Sequence, residues 1–458
     1  MPFPQFNGVL PDSIPPALLL SSPSVDQLHQ ALRKSLELRV RNVRLSFEVG
    51  LEGISQNDSK IAILFSGGLD CTVLARLVHD ILPIEECVDL LNVAFQNPRV
   101  HRSLENANGM HPSPYELCPD RITGRTSYGE LQKACPGRIW RFVEINIPYS
   151  ETVTHRDTVV SLMHPHNTEM DLSISYALYF ASKGVGLVHS PSDGKPHNYS
   201  TSAHVLISGL GADELFGGYQ RHATSFSRRG YPGLTAELEL DINRLGKRNL
   251  GRDDRVISNW SKEARFPYLD EELLAWALNR PVWEKCGFGE CSSSLNSGHP
   301  TGKIEPGKKV LRLLAWKLGM TRVAEERKRA VSAVPHEKVD ADSSKDTVRR
   351  PNSKNGNWKD ERDSDPVLMT HVLVRSVSVF LQLWYAGDLF RGDDDETGAS
   401  ALVLQILGRL LGPILYIYGC QTALSFQSMV TESYGNRGVA SDLGIYDPEK
   451  ASLSHTTL

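Results

Sequence analysis

Ile61-Ala62-Ile63-Leu64-Phe65-Ser66-Gly67-Gly68-Leu69-Asp70 is the stretch from which the fold of this chain is read. Its five consecutive apolar residues, set between Lys60 and a Ser-Gly-Gly turn, have the composition of a parallel strand buried on both faces. Thr72 to Leu82 follows, with Val73, Leu74, Leu77, Val78 and Ile81 at helical spacing, so the order is strand, glycine-rich turn, helix. Free backbone amides at such a turn, together with the positive end of the next helix, attract an anionic group, most often phosphate or pyrophosphate. A Walker A loop needs Gly-x4-Gly-Lys-Ser/Thr, and no lysine stands here. Taken alone, Ser66 to Asp70 also reads as an ordinary turn.

Outward from this stretch the chain alternates strands with helices. Before it, Met1 to Ser24 is rich in proline and serine without a sustained period and reads as an irregular lead-in. Val25, Leu28, Ala31, Leu32, Leu36, Leu38 and Val43, interleaved with Arg33, Lys34, Arg39, Arg41 and Arg44, predict a basic amphipathic helix, with a solvated basic face preferred to a membrane-surface role. After it, Cys87 to Phe95 and Ile139 to Ile147 read as strands. Asn97 to Leu117 reads as an irregular loop, and Pro119 to Gly124 leads into a short helical segment. An apolar helix is expected over Thr168 to Gly184, and His204-Val205-Leu206-Ile207 as the next strand. This alternation predicts a doubly wound parallel α/β sheet with ligands at the carboxyl ends of its strands. Ala236 to Arg280, interrupted at Phe266 to Asp270, and Lys308 to Lys328 make a helical C-terminal half.

Pro335 to Asp365 is almost entirely Lys, Asp, Ser, Arg and Asn and reads as a charged linker. The boundaries are therefore a lead-in over 1–24, one domain over 25–334, the linker over 335–365 and an apolar-helical tail of no assigned role over 366–458. Within the tail, Leu410 to Thr431 is uncharged, but Gly412-Pro413, Gln421, Thr422 and Gln427 favour a packed helix over a membrane span. A net charge of -4, from 54 acidic and 50 basic residues without a one-signed block, does not mark a nucleic-acid partner. The 7 cysteines contain no Cys-x2-Cys pair, which argues for free thiols, and the first residues lack a leader, so the cytoplasm is the expected compartment.

A second loop sharpens the reading. Leu206-Ile207-Ser208-Gly209-Leu210-Gly211-Ala212-Asp213-Glu214-Leu215-Phe216-Gly217-Gly218-Tyr219 again sets a hydrophobic strand before a Ser/Gly turn, followed by two carboxylates suited to a nucleotide with magnesium. Ser-Gly-Gly-x-Asp at 66–70 resembles the pyrophosphate loop of the N-type ATP pyrophosphatases, and the second loop resembles the Ser-Gly-x-Gly-Ala-Asp-Glu-x-Phe-Gly-Gly-Tyr motif of the asparagine synthetases. Arg252-Asp253-Asp254-Arg255, with Glu263-Ala264-Arg265, Pro267 and Leu269-Asp270, is similar to that family's Arg-x-Asp-Arg block. Lys308 to Arg312 is similar to its Lys-x-x-Leu-Arg element, and the four matches run in order between Ala31 and Ala330.

The resemblance implies an adenine nucleotide alpha hydrolase-like fold and an ATP-dependent amide ligase. Such a ligase adenylates the aspartate side chain with release of pyrophosphate and then aminates β-aspartyl-AMP to asparagine. It implies ATP contacts from Leu64, Ser66, Gly67, Gly68, Leu69, Asp70, Cys71, Val93, Ser208 and Gly209, and Mg2+ held by Asp70 and Asp213. Lys308 would stabilise charge at the reacting phosphorus and Arg252 would lie near the acyl-adenylate. Without the resemblance, Lys308 reads as a solvated helix lysine and Arg252 to Arg255 as a salt-bridge network. Position 71 is Cys where the motif has Ser, and position 210 is Leu where many members carry Glu, a possible general base. A non-catalytic nucleotide-binding or scaffold member is the rival reading. Residue 2 is Pro and the first cysteine is Cys71, so the glutaminase of glutamine-dependent enzymes, with its N-terminal cysteine nucleophile, is not expected. Free ammonia, or ammonia from a separate glutaminase subunit, is the expected nitrogen source.

Overall fold

The computed structural model describes residues 5–44, 58–98, 113–190, 193–290 and 304–327, and the linker and tail expected beyond 334 lie outside them. Strand β1 (Ile61–Leu64) lies between β2 (Val88–Phe95) and β6 (Val205–Ile207), parallel to both, with Ala62 opposite Asp89 on one side and Leu206 on the other. The full sheet has seven strands in the order β5-β4-β3-β2-β1-β6-β7. The chain runs outward from β1 through β2 and β3 (Trp140–Ile147), then returns to the other side of β1 as β6, so the order reverses between β1 and β6. The crevice at that reversal is where open α/β sheets bind ligands.

The period of two fixes which face each strand residue fills. Ile61, Ile63, Val205 and Ile207 enter one apolar layer with α1 (Pro23–Val40) and α2 (Leu69–Ile81), whereas Ala62 and Leu206 enter the opposite layer with α6 (Glu169–Lys183). Both layers are closed, which is why β1 reads as an unbroken apolar run. Helix α6 occupies the expected span: the Thr168 hydroxyl accepts from the Asp171 amide at 3.1 Å, and Gly184, at φ 69, ends it in a left-handed turn. Part of α1's basic face is taken up by ion pairs, among them Arg39 to Asp270 at 2.8 Å.

Some elements differ from the sequence expectation. The helix after Cys118 is not short: α3 spans Pro119–Ala134. It is followed after β3 by two short helices, α4 (Tyr149–Thr154) and α5 (Arg156–Met163), in a stretch for which no element was expected. Of the loop expected at 97–117, residues 99–112 lie outside the described residues. An antiparallel hairpin, β4 (Val185–His189) with β5 (Pro196–Ser200), closes one edge of the otherwise parallel sheet. Its residues are mostly exposed, so they lack the alternation that marks a half-buried strand. Buried Asp89 ties the hairpin down by accepting hydrogen bonds from the hydroxyls of Tyr199 and Thr201. The other edge is β7 (Glu263–Arg265), paired with β6, within a segment read as helical. The helices after β6 are α7 (Ala212–Phe216), α8 (Gln220–Leu245), α9 (Gly251–Ser258), α10 (Glu271–Asn279), α11 (Lys309–Lys317) and α12 (Thr321–Glu325). Among the described residues no helix is long and apolar enough to cross a membrane.

Candidate active site

The two loops after β1 and β6 face each other across the reversal point, and each is closed by its own serine. Ser66 Oγ accepts from the Gly68 amide and Ser208 Oγ from the Leu210 amide, both at 3.3 Å. The loops touch: a Cβ added to Gly209 would lie 3.0 Å from Asp70 Cβ. Gly67, at φ 80, is backed onto Gly124 of α3, whose backbone a Cβ would meet at 2.5 Å. A side chain there is barred both by the left-handed backbone and by contact.

The first loop is held from below. Asn92 donates to the Phe65 carbonyl at 2.9 Å, and fully buried Arg121 donates to Asn92 at 2.7 Å. Ser127 of α3 donates to the Gly67 carbonyl at 2.6 Å, and the hydroxyl of buried Tyr268 donates to the Asp70 carbonyl at 3.1 Å. Ser66 is left exposed at the turn, and Gly68 caps α2 so that Leu69 and Asp70 begin the helix. Leu64 and Val93 are half-buried at the strand ends, where a flat ligand on the sheet edge would meet them. Cys71 faces inward: its thiol donates to the Gly68 carbonyl at 3.3 Å, and burial pushes its pKa up. The thiol hydrogen is therefore committed within the loop.

Asp70, Asp213 and Lys308 meet in the crevice. Lys308 Nζ lies 2.8 and 2.7 Å from the two carboxylate oxygens of Asp70 and 2.7 Å from Asp213 Oδ1. Burial alone would lower the lysine pKa, but the carboxylates of Asp213 and Asp70 outweigh it and hold the ammonium above its ordinary value. The lysine arrives from outside the sheet on a residue with φ 57 that precedes α11. Its amide donates to the Phe216 carbonyl at 2.8 Å, and Arg312 Nε donates to the Gly307 carbonyl at 2.9 Å. Arg312 thus positions the lysine loop. Gly218 completes the wall, since a Cβ there would fall 2.0 Å from Asp213 Oδ1 and 2.1 Å from Lys308 Cε.

The site's fit to Mg2+ is decided by its donors. Two carboxylates converge on one point, with no group of three or more His, Cys, Asp or Glu side chains among the described residues. Such a sparse, hard-oxygen set suits an ion that keeps waters and completes its shell with phosphate oxygens. Asp70 and Asp213 would hold it.

Arg252 lies in a different cluster. Its guanidinium is bound by Asp171 and, at 2.8 Å, by Asp253, all buried, so the salt-bridge reading describes its geometry. Burial raises the Asp253 pKa to about 6 against the pull of Arg252. Sequence reasoning placed Glu214 and Tyr219 in the second loop without giving either a role, and it missed Asn249. Buried Glu214 accepts from Tyr219 at 2.6 Å and from Asn249 at 3.0 Å, while its Oε2 has no hydrogen-bond partner among the described residues, and burial raises its pKa. The Asp-Glu and Gly-Gly-Tyr spacing was the available signal, because Glu214 lies within one short helix and Tyr219 just beyond its glycine exit.

The asparagine synthase family profile matches residues 227–371, a stretch that takes in Arg252 and Lys308. The chain is 41% identical over 302 residues to the asparagine synthetase domain-containing protein 1 of Bos taurus, covering 60% of this chain and 45% of that one. It is 36% identical over 332 residues to the Homo sapiens protein of the same description, covering 67% of this chain and 50% of that one. A shorter match, 47% identity over 99 residues, covers 20% of this chain and 18% of a putative glutamine-hydrolyzing asparagine synthetase of Methanocaldococcus jannaschii. The chain spans about half the length of the domain-containing proteins it matches. With its two Ser-Gly loops set at the reversal point of a mostly parallel sheet, the chain is similar to the asparagine synthetase domain-containing proteins, and its residues 227–371 match the asparagine synthase family.

Proposed function

We propose that the chain is an ATP-dependent amide ligase of the asparagine synthase type, which adenylates the side-chain carboxylate of aspartate and then transfers ammonia to it, releasing AMP and pyrophosphate. The observation that carries this reading is the meeting of Asp70, Asp213 and Lys308 between two Ser-Gly loops at the carboxyl edge of the sheet. The turn at Ser66 to Leu69, with the start of α2, offers amides to the β- and γ-phosphates. Leu64, Val93, Ser208 and Gly209 border the strand ends where AMP would lie. Lys308 holds its positive charge beside the bond to be broken, and Asp70 and Asp213 hold Mg2+. When bound, the ion offsets the charge that develops on the leaving pyrophosphate. The nitrogen is ammonia, free or delivered by a separate glutaminase subunit.

Arg252 acts in this reading by fixing α9 against α6 through Asp171, and not by direct contact with the adenylate. The test is incubation of purified protein with ATP, Mg2+, aspartate and ammonium, following pyrophosphate and asparagine. Pyrophosphate formation that depends on aspartate is expected, and none above the blank would overturn the reading. Leu210 favours a second reading, a nucleotide-binding protein without turnover, because it sets an apolar side chain where a proton acceptor would serve. That reading expects ATP binding in a calorimeter with no pyrophosphate release.

A further inference from the structure

Lys308 Nζ and a divalent ion would draw on the same carboxylates. The ammonium is within 2.8 Å of Asp70 and within 2.7 Å of Asp213, so each carboxylate is already engaged by one positive charge. The Asp213 carboxylate has little freedom to turn away from it, because it is walled by the Gly218 backbone, where a Cβ would fall 2.0 Å from Asp213 Oδ1. The base of the Asp70 side chain is packed against Gly209, where a Cβ would come 3.0 Å from Asp70 Cβ. The lysine is the adaptable partner, with a compact charge on a flexible four-carbon stem.

We propose that Lys308 and the divalent ion are alternative occupants of the Asp70–Asp213 carboxylate pair, so that the ion enters only together with phosphate oxygens that take over the displaced ammonium. The physical reason is the burial of Lys308, which is 5% exposed. An ion arriving alone would leave a buried ammonium without its partners and facing a second cation, an arrangement disfavoured both by desolvation and by repulsion. A phosphate chain that brings its own metal removes that obstacle, because its oxygens bind the lysine as the ion binds the aspartates. The same exchange would turn the lysine toward the phosphates. The exchange itself rests on the carboxylate geometry, and the role of phosphates in it rests on the nucleotide reading above.

The test uses Mn2+ alone as the probe, followed by the free-ion electron paramagnetic resonance signal, with purified full chain and no nucleotide. Lys308→Met is expected to bind Mn2+ about tenfold or more tightly than the unsubstituted chain, because the competitor is gone and both aspartates remain. Equal or weaker binding by a folded Lys308→Met would overturn the proposal. Should that variant fail to fold, the unsubstituted chain is read instead by the NMR signal of the Lys308 ammonium. Millimolar Mg2+ alone is expected to leave that signal in place, and Mg2+ with a non-hydrolysable ATP analogue to shift it. A shift with Mg2+ alone would overturn the proposal. Failure of the nucleotide reading has its own signature: the analogue does not bind, while the Mn2+ difference between the two proteins persists.

Discussion

Two clusters in this domain share one formula, a cation between two aspartates, and differ in every other respect. In the crevice, Lys308 sits between Asp70 and Asp213, whose side chains are 23% and 19% exposed. In the other cluster, Arg252 sits between Asp171 and Asp253, at 10% and 6%. The first cluster joins three chain segments at the carboxyl edge of the sheet and uses a flexible point charge. The second joins α6 to α9 and uses a rigid planar fork with several donors, which suits a permanent joint. A cation flanked by two carboxylates therefore says little about role until its place in the topology is known.

The largest expected effect would break the buried joint. Arg252→Met leaves Asp171 and Asp253 facing each other without a counter-charge, and a loss of about 3–5 kcal/mol of stability is expected, read by urea unfolding. Little loss would mean that the two clusters differ less than their burial implies. Asp213→Asn tests the other side: pyrophosphate release should fall by about two to three orders of magnitude, with a much smaller change in stability than Arg252→Met. A purely structural loss would move the crevice cluster into the class of the buried one.

Another buried carboxylate sharpens the contrast through pH. Burial alone would raise the pKa of Asp241, but hydrogen bonds from His222 and Arg221 and their charges hold it at about 2. A depressed carboxylate stabilises the fold above its unfolded pKa near 4, and that contribution is lost as pH falls through the folded value. The window is therefore about pH 4 to 2, and the contribution is about 2 kcal/mol. Asp241→Asn should flatten the acid limb of a stability-against-pH curve over that window. The smallest effect belongs to Cys71→Ser, for which a stability change under about 1 kcal/mol is expected, because a hydroxyl can also donate to the Gly68 carbonyl. A turnover assay on the same variant would show whether the thiol suits the loop better than the hydroxyl does.

The central strands were legible because burial on both faces writes itself into sequence as unbroken apolar runs, as in Ile61 to Leu64 and Val205 to Ile207. The edge strands were not, since Glu263-Ala264-Arg265 and Pro196 to Ser200 bury little and are held by pairing and side-chain bonds. At the site, Asp70 and Asp213 stand out because they follow Ser-Gly turns at fixed offsets. Their union with Lys308, 238 residues from Asp70, is a tertiary fact. Asp270 carried a motif position whose visible work is local: it caps α10 by accepting from the Glu272 and Leu273 amides and pairs with Arg39. Sequence spacing marks such residues without separating a cap from a ligand.

Gly124 lies inside α3, where replacing glycine by alanine ordinarily gains about 1 kcal/mol of helix stability. Here the added methyl would stand 2.5 Å from Asn92 Nδ2, the group that holds the Phe65 carbonyl, on a glycine already pressed against Gly67. The sign of an innocuous helix substitution is thus reversed by a side chain on β2. Residues 67, 92 and 124 thus form a single packed unit, in which a larger side chain at either glycine is expected to need relief at its neighbours.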